Sequence, residues 1–387
     1  MNQADRWLLP DGIEELLPPE AKQLEAMRRT LLDTFSNWGY ELVVPPQLEF
    51  LESLLTGVGS DLNLQTFKVT DQLTGRLMGV SADITPQVAR IDAHSWAKEG
   101  INRLSYCGSV LHTRAKSLLS SRAPMQVGAE LFGESGPCAD VEILSLMVES
   151  MQRAGLDNIH LDIGHVGIYK ALVAQAELSA EAEQQIFENL NNKSVTEYQL
   201  LVQQYVKEPK LQQAFISLLT LNGSTDVIEQ AQVLEDVADV ASSLANLNEI
   251  CSTLQSRFAG VDIFIDLAEL RGFDYHTGIV FAAYVAGHGQ AVAQGGRYDD
   301  TGAVFGRARA ATGFSADIKQ WVRIVNKQVS TEDGIFAPVD ADWSVVSELR
   351  SQGKRVISGL SNTDDPAAIG CTSVLVFKND QWIVETL

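Results

Sequence analysis

Apolar residues Leu24, Met27, Leu31, Phe35 and Trp38 recur at steps of three and four, which predicts an amphipathic helix beginning after Pro18-Pro19 and stopping at Gly39. Tyr40 to Val44 then reads as a strand closed by Pro45-Pro46, and Phe67 to Val80 as a hairpin turning at Asp71 to Gly75. Pro86, following Thr85, suits the opening of a short helix. Ile101 to Thr113 and Met125 to Phe132 read as the arms of a long antiparallel hairpin, joined by a polar, basic loop from Arg114 to Ala123. A helical period returns over Ala139 to Ala154 and ends at Gly155, and Ile159 to Ile163 alternates again as a strand.

From about Val166 to Ala259 the chain runs in long helical stretches rich in Ala, Leu, Gln and Glu, with one break at Asn222-Gly223-Ser224. Strands resume at Val261 to Leu267 and Gly278 to Val285. Turns are expected at Gly287-His288-Gly289 and at Gly295-Gly296, and a helix from about Phe314 to Val325. A tail follows, with a helix at Trp343 to Leu349 and strands at Arg355 to Ser358, Thr372 to Phe377 and Trp382 to Glu385. Strands on both sides of the helical run imply one discontinuous sheet domain. The expected organisation is a core of residues 1–165 and 260–325, a helical insert over 166–259, and a small C-terminal α/β domain over 326–387. The fold class is α+β, an antiparallel sheet flanked by helices.

Composition narrows the chemistry. Fifty acidic against 29 basic residues leave a formal charge of -21, which repels a phosphate backbone, so nucleic acid is not an expected partner. Cys107, Cys138, Cys251 and Cys371 form no C-x-x-C pair or zinc-like cluster; they read as buried thiols of a reducing cytoplasm, and no metal is expected. The N-terminus lacks a basic region followed by an apolar run, and no stretch of apolar residues is long enough to span a bilayer. The expectation is a cytoplasmic protein with no membrane partner.

Two ordered signals then make the reading specific. The run LAELRGFDYHTGIVF, Leu267 to Phe281, resembles the first histidine-specific signature of histidyl-tRNA synthetases, and AQGGRYD, Ala293 to Asp299, resembles the second at the expected short distance. The helix and strand ending at Pro45 resemble motif 1 of the class II synthetases, and Gly108 to Glu130 matches motif 2 without a gap. Taken singly, Gly295-Gly296 is more often a bulge or tight turn, Tyr275 and Tyr298 core aromatics, and Arg271 beside Asp274 a structural ion pair. Their occurrence together, in order, outweighs those readings. The likeness covers roughly residues 5 to 325 and implies a class II aminoacyl-tRNA synthetase-like sheet.

Carried over residue by residue, the resemblance places Asp83 and Thr85 in the loop that receives a substrate ammonium group. Gln126 and Glu130 match the glutamine and glutamate of the second motif 2 strand, where a spacing of four puts both on one face. Arg271 matches the arginine that meets the ligand's carboxylate, a task suited to a planar, permanently charged fork. Tyr275 is kept, His276 stands where the synthetases usually have a second tyrosine, and Tyr298 belongs to the second signature. The ligand so implied is free histidine, whose cation, carboxylate and ring nitrogens these groups complement.

The ATP-binding arginines that the synthetases place in motifs 2 and 3 are replaced by His112 and Gln320, and a family glycine becomes Asp317. Each lost charge-assisted bond is worth about 1.5–3 kcal/mol, so ATP would be held a hundredfold or more too weakly. Arg114, one strand repeat beyond His112, and Arg323, one helical turn beyond Gln320, are the residues that would have to compensate. Only some 60 residues follow the closing helix, with acidic stretches at Asp340 to Asp342 and Asp364-Asp365, too few and too acidic for anticodon recognition.

A synthetase-like histidine pocket without ATP machinery resembles one family closely, the regulatory subunits of ATP phosphoribosyltransferase, and the run Tyr275 to Gly278 also looks like that family. The resemblance implies a non-catalytic subunit, without cofactor, that assembles as a homodimer with a short catalytic subunit in a larger hetero-oligomer. There it would couple histidine level to the first step of histidine biosynthesis. The competing reading is a histidine-activating, ATP-dependent ligase, which histidine-dependent pyrophosphate exchange would reveal. A third, a sensor of uncharged tRNA, is disfavoured by the acidity.

Overall fold

The computed structural model describes residues 7–56, 60–115, 120–234, 236–237, 239–273, 275–325, 333–361 and 364–387. Part of the basic loop and Asp274 lie outside the described residues. The chain forms two compact units, Met1–Asn326 and Lys327–Leu387.

In the first unit the helix Glu20–Asn37 buries Leu24, Leu31 and Phe35, as its period requires. Strand β1 (Glu41–Leu42) follows, then a three-stranded sheet of β2 (Leu48–Phe50), β3 (Lys68–Thr70) and β4 (Leu77–Val80), ordered β2-β4-β3. The expected hairpin from Phe67 to Val80 is its β3/β4 arm. The main sheet adds β5 (Asn102–Ser109), β6 (Met125–Phe132), β7 (Ile159–His165), β8 (Asn222–Gly223), β9 (Asp262–Asp266), β10 (Ile279–Val285), β11 (Ala293–Arg297) and β12 (Ala311–Asp317). Its nine strands run β1-β5-β6-β12-β11-β10-β7-β9-β8. Pairing is antiparallel except for β1 with β5 and β7 with β9. The two outermost strands have two residues each.

Strand alternation divides the sheet into two faces. On β6, Val127, Ala129 and Leu131 point into the large core with the helices Glu20–Asn37 and Pro137–Ala154, while Phe132 joins Leu104, Tyr106 and Tyr298 in a smaller cluster on the opposite side. Phe35 meets Phe314 edge-on at 6.0 Å across the large core. Helices between Val166 and Arg257 contribute Leu172, Ile186, Tyr198, Phe215 and Leu247 to that same core.

Four expectations are corrected. Gly295-Gly296 is no turn but the centre of β11: a Cβ on Gly295 would strike the Phe281 ring and one on Gly296 the His276 ring, so the glycines serve close packing within a flat strand. The helix expected from Phe314 begins only at Ile318, because Ala311 to Asp317 is a full strand between β6 and β11. The break at Asn222-Gly223 is the edge strand β8, paired with β9. Finally, the cysteines are not all buried: Cys251 and Cys371 are, Cys107 is half-buried, and Cys138, in the first turn of a helix, is exposed.

The second unit pairs β13 (Gly334–Ala337), β14 (Val356–Ser358), β15 (Cys371–Lys378) and β16 (Gln381–Thr386) in the order β14-β13-β15-β16, with the helix Trp343–Ser351. Ile335, Val346, Val356 and Leu375 form its core. The strand β13 went unforeseen because Gly-Ile-Phe-Ala is short and buried throughout, so it has no alternation to read.

Candidate functional site

The site lies on the face of the main sheet that carries Glu130. Glu130 is 1% exposed and is held by hydroxyls from two directions: Tyr106 donates to Oε1 at 3.1 Å, and Tyr298 donates to Oε2. Burial pushes the Glu130 carboxyl up to about 8, with the hydrogen bonds from Tyr298 and Tyr106 and the nearby Thr85 hydroxyl opposing the shift and the nearby Asp83 charge adding to it. Room for this carboxyl comes from Gly313, its cross-strand partner on β12, where any Cβ would overlap the glutamate.

Next to it, the turn from Asp83 into the helix Thr85–Arg90 is tied by side chains. Asp83 Oδ1 accepts from the Thr85 amide at 3.0 Å and from the Gln126 amide group at 2.8 Å, while Gln126 Oε1 accepts from the Ile84 amide at 2.8 Å. Tyr275 stacks on Tyr298, with ring centroids 5.1 Å apart, and meets His276 edge-on at 5.3 Å. His276 Nδ1 lies 3.2 and 3.1 Å from the carbonyl oxygens of Arg271 and Gly272. Two acceptors require the proton on Nδ1, leaving Nε2 the lone pair. Burial pushes this imidazole down to about 4, so the ring is neutral near neutral pH.

Arg271 reaches Glu269 at 3.3 Å and donates to the Tyr284 hydroxyl at 3.2 Å. Arg271 is thus paired with Glu269, and the pairing expected with Asp274 lies outside the described residues. A cavity of about 750 Å³ gathers Asp83, Thr85, Glu130, Arg271, Tyr275, His276 and Tyr298 on its walls. Gln126 lines an adjoining cavity of about 610 Å³ that shares Asp83, Gln294 and Ser315 with the first.

That second cavity is lined by His112, Asp317, Gln320 and Arg323, the positions compared above with the synthetases' ATP-binding motifs. Asp317 Oδ1 accepts from the Met125 and Lys319 amides at 3.1 and 3.0 Å, and burial raises its carboxyl above the ordinary range. Gln320 Nε2 donates to His288 Nε2 at 2.7 Å. Arg323 is engaged by Glu14 at 2.5 Å and by Glu20 at 3.8 Å. His112 Nε2 lies 2.9 Å from the Ala82 carbonyl oxygen. Backbone bonds carry the hairpin past β5 to His112, whose amide donates to the Arg122 carbonyl oxygen at 2.7 Å, and Arg114, two residues further on, is exposed.

Several site residues were not visible in the sequence. Tyr106 shares the inward face of β5 with Leu104, but its place beside Glu130 depends on register, pairing opposite Gly128. Lys170, from the helix Val166–Ala176, donates to the His276 carbonyl oxygen at 2.7 Å, and Phe187 of the helix Ala180–Asn191 lies 5.0 Å from Phe273. These come from the helical run, where composition indicates helix but not which face turns toward the site. Arg297, in the second signature, is structural: it pairs with buried Asp140 at 3.0 Å and donates to the carbonyl oxygens of Glu134 and Gly136.

The histidyl-tRNA synthetase family profile matches residues 12–321, and that of the ATP phosphoribosyltransferase subunit HisZ C-terminal domain matches residues 332–385. An ATP phosphoribosyltransferase regulatory subunit of Thioalkalivibrio sulfidiphilus is 52% identical over 100% of both chains. The crystal structure of an ATP phosphoribosyltransferase regulatory subunit/histidyl-tRNA synthetase from Bacillus halodurans superposes with a TM-score of 0.83 at 26% identity, covering 97% of this chain and 99% of that one. An ATP phosphoribosyl transferase (HisG:HisZ) complex from Thermotoga maritima shares the fold at a TM-score of 0.60 and 19% identity, covering 79% of this chain and 98% of that one.

Proposed function

The chain belongs to the family of ATP phosphoribosyltransferase regulatory subunits, and on that premise we propose that its 750 Å³ cavity binds free histidine and that the chain itself performs no chemistry. The observation that carries the reading is the convergence of Asp83, Thr85, Glu130, Arg271, Tyr275, His276 and Tyr298 on that one cavity, while Asp317 and a glutamate-engaged Arg323 occupy the adjoining one. Asp83 and Thr85 offer acceptors for the ligand's ammonium group, Arg271 a fork for its carboxylate, and Glu130 with the neutral His276 partners for the imidazole.

The subunit works by linkage. Assembled with a short catalytic subunit, as a homodimer within a hetero-oligomer, it changes the rate of phosphoribosyl-ATP formation only as far as histidine binds one arrangement of the complex better than another. Two measurements test this. Isothermal titration of the full chain is expected to show saturable histidine binding that Arg271→Ala weakens by tenfold or more, on the order of one charge-assisted bond; unchanged heats in that variant refute the site. Mixing the chain with a short-form catalytic subunit is expected to make phosphoribosyl-ATP formation histidine-sensitive, and no change in rate or sensitivity refutes the role. Histidine-dependent pyrophosphate exchange with ATP would favour the ligase reading.

A further inference from the structure

We propose that Tyr106 is a positioning residue that couples the two ends of the ligand pocket, so that the group reading the ammonium end and the group reading the ring end act as one unit. The inference rests on the histidine-binding reading of this cavity.

Thr85 belongs to the helix Thr85–Arg90 and Glu130 to β6, elements far apart in sequence and joined by no strand pairing. One hydroxyl bridges them: Tyr106 Oη is 2.9 Å from Thr85 Oγ1 and 3.1 Å from Glu130 Oε1. The Tyr106 ring is fully buried, and its place is built into the sheet. Its cross-strand partner is Gly128, and any Cβ there would collide with the hydroxyl end of Tyr106. A bulkier residue at 128 would push the ring away from both partners.

The bridge constrains proton positions. A tyrosine has one proton to donate, and Glu130 when ionised only accepts, so Tyr106 donates to Glu130 and accepts from the Thr85 hydroxyl. That assignment leaves the Thr85 oxygen as an acceptor on the wall of the cavity that Thr85 lines, as an ammonium ligand requires. If Glu130 is protonated instead, the bond to Tyr106 loses its charge assistance and the Thr85 proton is free to reorient. Binding at one end therefore changes the acceptor strength presented at the other. The groups facing Glu130 are Tyr106 on β5, Tyr298 beyond β11, Tyr275 in the first signature, and Asp83 with Thr85 at the start of the short helix.

The test is calorimetric titration of the full-length chain with L-histidine between pH 6 and 9, for the unsubstituted chain, Tyr106→Phe, Thr85→Val and the double variant. Tyr106→Phe keeps the ring and removes only the bridging hydroxyl, leaving buried Glu130 and half-buried Thr85 each short of a bond. About tenfold weaker binding is expected. The pH midpoint of affinity should also move upward, since Glu130 loses one of the bonds that favour its charged form. Thr85→Val and Tyr106→Phe should be non-additive, with the double variant little worse than the worse single one. Unaltered affinity and midpoint in Tyr106→Phe, or strict additivity of the two changes, would overturn the coupling while leaving the histidine site standing. No binding by the unsubstituted chain would overturn the site reading and the coupling with it.

Discussion

Glu130 and Gly313 face each other across β6 and β12, and the Glu130 carboxyl occupies the volume that a side chain at position 313 would need. Gly313→Ala is therefore expected to push Glu130 out of its bonds with Tyr106 and Tyr298. The cost is about 1–3 kcal/mol for overpacking a closed interior, read as a lower urea midpoint together with loss of histidine binding. Wild-type stability in that variant would show that the two residues do not share this space.

Glu130 also sets a pH dependence. Its carboxyl titrates near 8 in the folded chain, against an ordinary value of 4.5. Between these values the folded state holds more protons than the unfolded one, so this group's contribution to stability falls as pH rises from 4.5 to 8. Glu130→Gln removes the effect. Thermal melts should show the variant close to wild type near pH 5 and gaining on it steadily toward pH 8; parallel curves would contradict the assignment.

His165 and His276 act in the opposite sense. Burial pushes both down to about 4 from 6.5, the Arg297 charge adding to the effect at His165 and those of Lys170 and Arg271 at His276. Below 6.5 the unfolded chain takes up protons that the folded chain refuses, so stability is lost as pH falls from 6.5 to 4. Replacing His276 with Asn should flatten this acid limb in denaturant titrations, and an unchanged limb would rule the ring out as a contributor.

The Arg297–Asp140 pair ties β11 to the start of the helix Pro137–Ala154, with both side chains 7% exposed. Asp140→Ala would strand a buried guanidinium and is expected to cost about 3–5 kcal/mol. A double replacement by apolar residues of similar volume should recover much of that loss. A single variant within experimental error of wild type would mean that the Asp299 carboxylate, 3.2 Å from the same guanidinium, neutralises the arginine alone.

Nucleotide affinity should be recoverable only in part. Gln320→Arg places a cation one helical turn from Asp317, which can capture it (i, i+3). Adding Asp317→Gly is expected to raise Mg-ATP affinity by tenfold or more over the single variant, about one charge-assisted bond. Asp317 also accepts the Lys319 amide at the start of the last helix of the unit, so the double variant should lose about 0.5–2 kcal/mol of stability. Fluorescence titration and melting read the two effects separately, and equal ATP affinity in both variants would remove Asp317 as the obstacle.

Residues whose role follows from a local pattern were legible in the chain. The period of Leu24 to Trp38 marked a helix that packs on the sheet, and the spacing of Gln126 and Glu130 put both on the site side of β6. What depended on pairing between distant segments was not. Gly295-Gly296 has the composition of a turn, and only the nearness of Phe281 and His276 explains why glycines sit inside a strand. Tyr106 and Lys170 enter the site through register and helix orientation, which no single segment encodes. The run from Ala311 to Asp317 is a strand because β6 and β11 flank it, against a helical pattern that in fact starts with Ile318.

At either rim of the nine-stranded sheet the last strand, Glu41–Leu42 on one side and Asn222–Gly223 on the other, is only two residues long. So little free ladder gives a stray polypeptide almost no template on which to add itself. The rims of this one sheet are thus blunt seams, and a neighbouring chain that meets them must recognise side chains and contours, a choosier kind of contact than backbone zippering.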